Sequence, residues 1–325
     1  MLFRSFKLNL GRGNAGCREA VRNAVPAIAG RGVVQVSAYI DMVLASLLAI
    51  GGPTRLGSAQ TLYMLPISLF GMSVAAAELP ELSRARSGAT TEVRERTVAA
   101  LRRVAFYVVP SFVAFLVIGD VLVAGLYRTG KFGDADVTVS WLVLAGYSLG
   151  MLASTATRVY QSAFFALRDT RTPARVATLR VLTSAITGAV LMVQLEPITV
   201  FGATIPAGVL AGANVAGVPL GPLGLATGAA IGAWLEWWLL RRRLRAQLGT
   251  IGAGAGPLVR MFVAALLAAA AARAARLGLD GLAPLPAALI VAAVFGVVYL
   301  GAALALGLAE AGIVLGAVRR RLRAR

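Results

Sequence analysis

Histidine is absent from this chain of 325 residues, and cysteine occurs once. Without an imidazole there is neither a histidine-based catalytic triad nor a conventional zinc shell, and one thiol cannot close an internal disulfide. Acid is scarce as well: 14 Asp and Glu stand against 32 Lys and Arg, and only 14% of residues are charged. So few reactive groups argue against an enzyme. The lone Cys17 has no apolar run before it, which makes it an ordinary thiol rather than a lipidation site. The polar segment 1–23 likewise lacks the apolar centre of a signal peptide.

What the chain has in abundance is hydrocarbon. Hydrophobic residues make up 58% of it and mean hydropathy is +0.78, far outside the range of soluble domains. A net charge of +18 would suit nucleic acid, but the basic residues lie between apolar runs of membrane-crossing length, which excludes that partner. Eight runs stand out, at 24–50, 57–79, 98–127, 137–166, 173–195, 223–240, 258–277 and 283–308. They are continuous rather than alternating and about twice the length of a barrel strand, so they predict helices. The expected fold class is an all-α integral membrane protein with about eight transmembrane helices.

Charge orients the bundle. Of the 32 Lys and Arg, 27 fall on one face: in the N-terminal segment, between Arg84 and Arg103, between Arg158 and Arg180, between Arg241 and Arg260, and in the tail "RRRLRAR". Only Arg55, Arg128, Lys131, Arg273 and Arg276 fall on the other. By the positive-inside rule the rich face is cytoplasmic, and eight crossings place both termini there. The organisation read from this pattern is a cytoplasmic segment 1–23, a six-helix lobe 24–248, a Gly-rich linker 249–257, a helix pair 258–308 and a basic tail 309–325.

The connectors carry their own signals. "FFALRDTRTPARVATLR", residues 164–180, is a cytoplasmic turn in which Arg168, Arg171 and Arg175 hold the sidedness and Pro173 opens the next helix. Glu78 and Glu81 beside Arg84 and Arg86 suggest interfacial ion pairs, and 84–103 suggests a basic interfacial helix held by anionic lipid. Residues 196–222 contain no Lys or Arg and are rich in Gly, Pro and Ala, which predicts a loose outer loop or a re-entrant segment. The glycines of "GTIGAGAGP" lack a Walker lysine, so they mark a linker rather than a phosphate cradle. Gly146 and Gly150 have the small-xxx-small spacing of close helix contact.

Two charges inside the runs are candidate site residues. Asp41 lies near the middle of the first run, where an ionised carboxylate needs a cavity, a cation or a partner. Arg158 lies ten residues before Arg168, about 15 Å along a helix, too deep for easy snorkelling; it either lines a cavity or pairs at a helix interface. Glu236 and Asp120 lie near run ends.

The stretches "IDMVLASLL", "LYMLPISLFGMSVAAAELPELSR", "LYRTGKFGDADV" and "LAGYSLGMLASTATRVYQSAFFALRDTRTPARVA" occur in this order over 40–177. They resemble the MurJ/MviN family of lipid II flippases, whose corresponding helices read D-x-x-x-A-S-x-L and L-P-x-x-x-F-G and whose signature turn reads F-Y-A-x-x-D-T-x-T-P. The resemblance implies a MOP/MATE-like fold of fourteen spans, two six-helix lobes and a final pair that forms a lipid-facing groove. This chain matches spans seven to fourteen, the second lobe plus the pair, with the first lobe missing. It also implies transport of an undecaprenyl-pyrophosphate-linked peptidoglycan precursor across a bacterial plasma membrane, without covalent chemistry. The expected partners are membrane lipids, the lipid-linked precursor, and a separate first-lobe polypeptide or second copy. The alternatives are a non-transporting scaffold or an exporter of another lipid-linked oligosaccharide.

By the same resemblance, Arg168, Asp169, Thr170, Thr172 and Pro173 form the signature turn, and Arg158 holds a place where the family carries a lysine or arginine. Asp41 corresponds to an acidic position associated in some members with sodium, so a sodium ion is the candidate cation, with Thr183, Ser184 and Thr187 as the neighbouring oxygens. Thr61 takes the place of a family arginine. A hydroxyl there can donate one hydrogen bond but lacks the fork that grips pyrophosphate.

Overall fold

The computed structural model describes residues 37, 39–72, 90–200, 203–210, 212–314 and 316. Among them six helices are long and apolar enough to cross a membrane, and they correspond to the third through eighth runs. The first two runs extend beyond the described residues, as do Glu78, Glu81, Arg84 and Arg86, the segment 1–23 and most of the basic tail.

Residues 39–45 are helical, and the chain then turns over 46–51. Helix α1, Gly52–Pro66, follows and passes into a π-helical turn, Ile67–Met72. It starts earlier than hydropathy suggested because Pro53 suits the first turn and Arg55 loses its cost by pairing. Next come α2 (Thr90–Val117), α3 (Gly119–Tyr127), α4 (Asp134–Leu149), α5 (Met151–Ala166), α6 (Arg171–Leu195), α7 (Gly221–Leu248), α8 (Ala255–Leu277) and α9 (Pro284–Ala305). Residues 90–103 are continuous with the α2 span rather than forming a separate interfacial helix, and the basic run after Leu240 continues α7.

The breaks in long helices free carbonyls, which lipid cannot satisfy. Pro110 lacks the N–H that would bond Phe106, and the Tyr299 hydroxyl of α9 donates to that carbonyl at 2.6 Å. At the α2–α3 break the Trp141 indole donates to Phe115 O at 3.0 Å, and at the α4–α5 break Trp234 donates to Leu149 O at 2.7 Å. Each interruption is thus covered by an aromatic donor from another helix.

Two apolar cores result. One lies inside the lobe around Leu56, Val108, Tyr147, Leu225 and Leu240. The other joins Phe106, Val109 and Val113 of α2 to α8 and α9. On α8 the buried stripe is Met261, Ala264, Ala265, Ala268, Ala269 and Ala272, a helical repeat of small residues that lets α2 and α9 approach closely. Between lobe and pair, Ile251 and Ala253 are buried and Arg102 donates to Ala253 O at 2.9 Å.

Helices α6 and α7 make the most extensive contact of the fold. Gly224, Gly228 and Gly232 line one face of α7, and a side chain at Gly228 would run into the backbone of Gly188 on α6. Gly146 and Gly150 let α4 and α5 meet Ala226 and Ala230 of α7 in the same way.

The described part of the 196–222 connector contains no crossing helix. It forms two small antiparallel hairpins, β1 (Ile198–Val200) with β2 (Ala203–Ile205) and β3 (Asn214–Val215) with β4 (Val218–Pro219). Ala216 and Gly217, both at positive φ, make the two-residue turn of the second hairpin. Glu196 anchors the connector: its buried carboxylate accepts the Ala49 N–H at 2.6 Å and the Gly221 N–H at 3.2 Å.

Candidate functional site

Membrane interiors tolerate ions only in company. Helix α7 carries Glu236, with none of its surface exposed, and both carboxylate oxygens are engaged. Arg180 of α6 donates to Oε2 at 2.8 Å, and Gln161 of α5 donates to Oε1 at 3.1 Å. Arg180 therefore belongs to the bundle interior, not to the cytoplasmic turn with which its charge was counted, and Glu236 lies deep rather than at a span end. Glu236 is the single ionisable residue of the run 223–240, and that isolation was the available signal.

Asp41 is buried, 6% exposed, and its charge and that of Arg180 act on each other. Arg180 thus pairs with Glu236, and its charge also reaches Asp41. The adjoining wall is aromatic: Tyr63 of α1 stacks on Tyr147 of α4 at 5.1 Å between ring centroids, and the Tyr63 and Ser154 hydroxyls are 3.2 Å apart. Tyr147 feels the charge of Asp41, and its hydroxyl, buried, has no hydrogen-bond partner among the described residues.

Among the described residues no group of three or more Asp, Glu or Cys comes together. Thr187 donates to the Thr183 carbonyl at 2.7 Å and lies 3.5 Å from Gly228 O, so its hydroxyl is committed to the α6–α7 seam. Ser184 is buried in that seam, against Gly232.

Thr61 stands apart from the cluster. It lies on the exposed face of α1 with Met64, Leu65 and Leu69, and its hydroxyl donates to Gly57 O at 2.9 Å within the helix. Arg158 is half-buried on α5 and is engaged in an interaction of the fold.

The signature turn has a local mechanical reading. Helix α5 ends with Arg168 in the left-handed region at φ 59, where its N–H bonds Phe165 O at 3.0 Å and the Asp169 N–H bonds Phe164 O at 2.9 Å. This double bond pattern closes a helix C-terminus. Asp169 then accepts the Thr172 N–H at 2.9 Å and caps α6, while Thr170 flanks the helix and Pro173 sits in its first turn. At the opposite end of the bundle, Arg55, Arg128, Arg273 and Arg276 pair with Asp136, Asp134, Asp120 and Asp280 at 2.7–3.0 Å. Local acids thus neutralise four of the five cations assigned to the sparse face, which deepens the charge asymmetry.

Lipid-length helices enclosing a paired charge cluster beside stacked tyrosines define a multi-span helical membrane protein. The family model for lipid II flippase MurJ matches residues 1–284, and the chain belongs to that family. A probable lipid II flippase MurJ of Vibrio cholerae serotype O1 is 28% identical over 167 residues, which cover 51% of this chain and 32% of that protein. Its counterpart in Rhizobium meliloti is 33% identical over 151 residues, covering 46% and 28%. A solved lipid II flippase MurJ, in an inward closed conformation, superposes with a TM-score of 0.64 at 20% identity over 83% of this chain and 50% of that one. The chain thus spans half or less of the length of these relatives, and the solved structure speaks to the fold alone.

Proposed function

We propose that this chain serves as the second lobe and terminal helix pair of a lipid II flippase in a bacterial plasma membrane, with its basic face and both termini in the cytoplasm. The carrying observation is the family match over residues 1–284. The substrate is the undecaprenyl-pyrophosphate-linked peptidoglycan precursor, and no covalent step is involved.

Two features support this reading. An apolar groove of about 570 Å³ lies between α1, its π-helical turn, α2, α3 and α9, lined by Leu62, Pro66, Phe106, Pro110, Phe295 and Tyr299, and suits a polyisoprenoid tail. The exposed side of α1 and its π-helical turn, with Met64 at 41%, Leu65 at 50% and Leu69 at 61% exposure, is the surface a facing lobe would cover. Alternating access needs such a pair of lobes rocking about a site between them. The facing half lies outside these 325 residues. Arg180, paired with Glu236, is a buried cation that the substrate's charge would have to engage in competition with that carboxylate, since Thr61 offers only a hydroxyl.

Complementation of flippase-depleted cells tests the reading, with the chain expressed alone and beside a separate first lobe and outer-leaflet lipid II quantified. Rescue only in the presence of the first lobe is the expected result. Failure of both arms, with the chain present in the membrane, would refute transport and favour a scaffold.

A further inference from the structure

A second cavity lies away from the charge cluster. It has a volume of about 1040 Å³ and is bounded by the N-terminal part of α2, by α5 and α7, by the 250–254 connector, by α8 and by residues 309–313. Its floor is apolar, formed by Val98, Leu152, Leu258 and Phe262. Its rim carries Arg94, Arg102, Arg103 and Arg241 against the two carboxylates Glu95 and Glu310.

Arg241 is the telling residue. Its guanidinium lies 4.8 Å from the centroid of the Trp237 ring, and its Nε is buried with no hydrogen-bond partner among the described residues. Arg241 as a whole is half-buried on the cavity wall, and a phosphate oxygen is the acceptor its planar guanidinium fits best. The cavity combines a cationic rim, a tryptophan at its edge and an apolar floor, and it sits at the basic end of α7. That is the chemistry of a diacyl phospholipid: phosphate at the rim, acyl chain along the floor.

We propose that this cavity binds an anionic phospholipid of the phosphatidylglycerol class from the basic-face leaflet, with Arg241 as its principal phosphate ligand. The assignment is independent of the transport reading, since the cavity shares no residue with the buried charge cluster.

The test is native mass spectrometry of the whole chain in detergent, titrated with palmitoyl-oleoyl phosphatidylglycerol, with the matching phosphatidylcholine, or with inorganic phosphate. Phosphatidylglycerol is expected to be retained in preference to phosphatidylcholine, and Arg241→Gln to weaken that retention about tenfold, the effect of losing one hydrogen bond to a charged group. Arg242→Gln is the control, since Arg242 lies over Trp238 outside the cavity and its loss should change nothing. If Arg241→Gln does not fold, Arg94→Gln at the rim provides the second variant and should also weaken retention. Equal retention of the two lipids, insensitivity to both cavity variants, or binding of inorganic phosphate with no retained lipid would each overturn the proposal.

Discussion

Arg180 pairs with Glu236 and its charge also reaches Asp41, so its loss should harm the fold more than the loss of Glu236. At 2.8 Å, with an effective dielectric constant of ~20, its attraction to Glu236 is about 6 kcal/mol before desolvation is counted. Breaking one side of such a buried pair costs roughly 3–5 kcal/mol, because an uncompensated charge remains. Glu236→Leu leaves Arg180 with Asp41 and should fall at the low end of that range. Arg180→Met strands Asp41 and Glu236 together and should fall at the high end. The double variant strands only Asp41, so it should be more stable than Arg180→Met alone. The assay is SDS-induced unfolding in dodecyl maltoside micelles, followed through the fluorescence of the four tryptophans. If Arg180→Met costs no more than Glu236→Leu, or if the two single costs add in the double variant, the shared-cation reading fails.

Two further perturbations test the packing around the site. Tyr299→Phe should cost about 1–3 kcal/mol by orphaning the Phe106 carbonyl, and almost nothing in a Pro110→Ala background, where residue 110 regains the N–H for that carbonyl; equal costs in both backgrounds, by the same unfolding assay, would show that the tyrosine is not covering the proline break. Gly228→Ala should lower the thermal midpoint of the detergent-solubilised chain, since overpacking against the Gly188 backbone costs about 1–3 kcal/mol and outweighs the roughly 1 kcal/mol gain in helix propensity. A midpoint at or above that of the wild type would mean that α6 and α7 can separate freely.

Some of the site was legible in the chain itself. Asp41 announced itself as a lone carboxylate in an apolar run, and the 164–180 turn announced itself through its arginines and Pro173. Arg180 was within reach of the same rule, but it stands only five residues after Arg175 and was absorbed into the turn's charge count. The role of Asp169 as a cap was not visible in the charge pattern, because it depends on Arg168 adopting a left-handed backbone that a non-glycine residue rarely takes. Gly146 and Gly150 were recognised as close-contact positions, whereas Gly224, Gly228 and Gly232 were lost among the 36 glycines of the chain.

By itself the sequence determined that this protein is a helical membrane bundle, where six of its long apolar helices fall, and which connectors are more basic. Those properties are local: about 20 apolar residues in a row are needed to cross lipid, and lysine or arginine between the runs biases the sidedness, whatever each helix packs against. Only the tertiary structure decided which charge answers which. Arg180 and Glu236 are 56 positions apart, Arg55 and Asp136 are 81 apart, and Tyr299 is 193 positions from the carbonyl it satisfies. A buried polar group is stable only beside its partner, and which residues become neighbours is settled when helices pack, through small-residue faces and freed carbonyls that no one-dimensional pattern records.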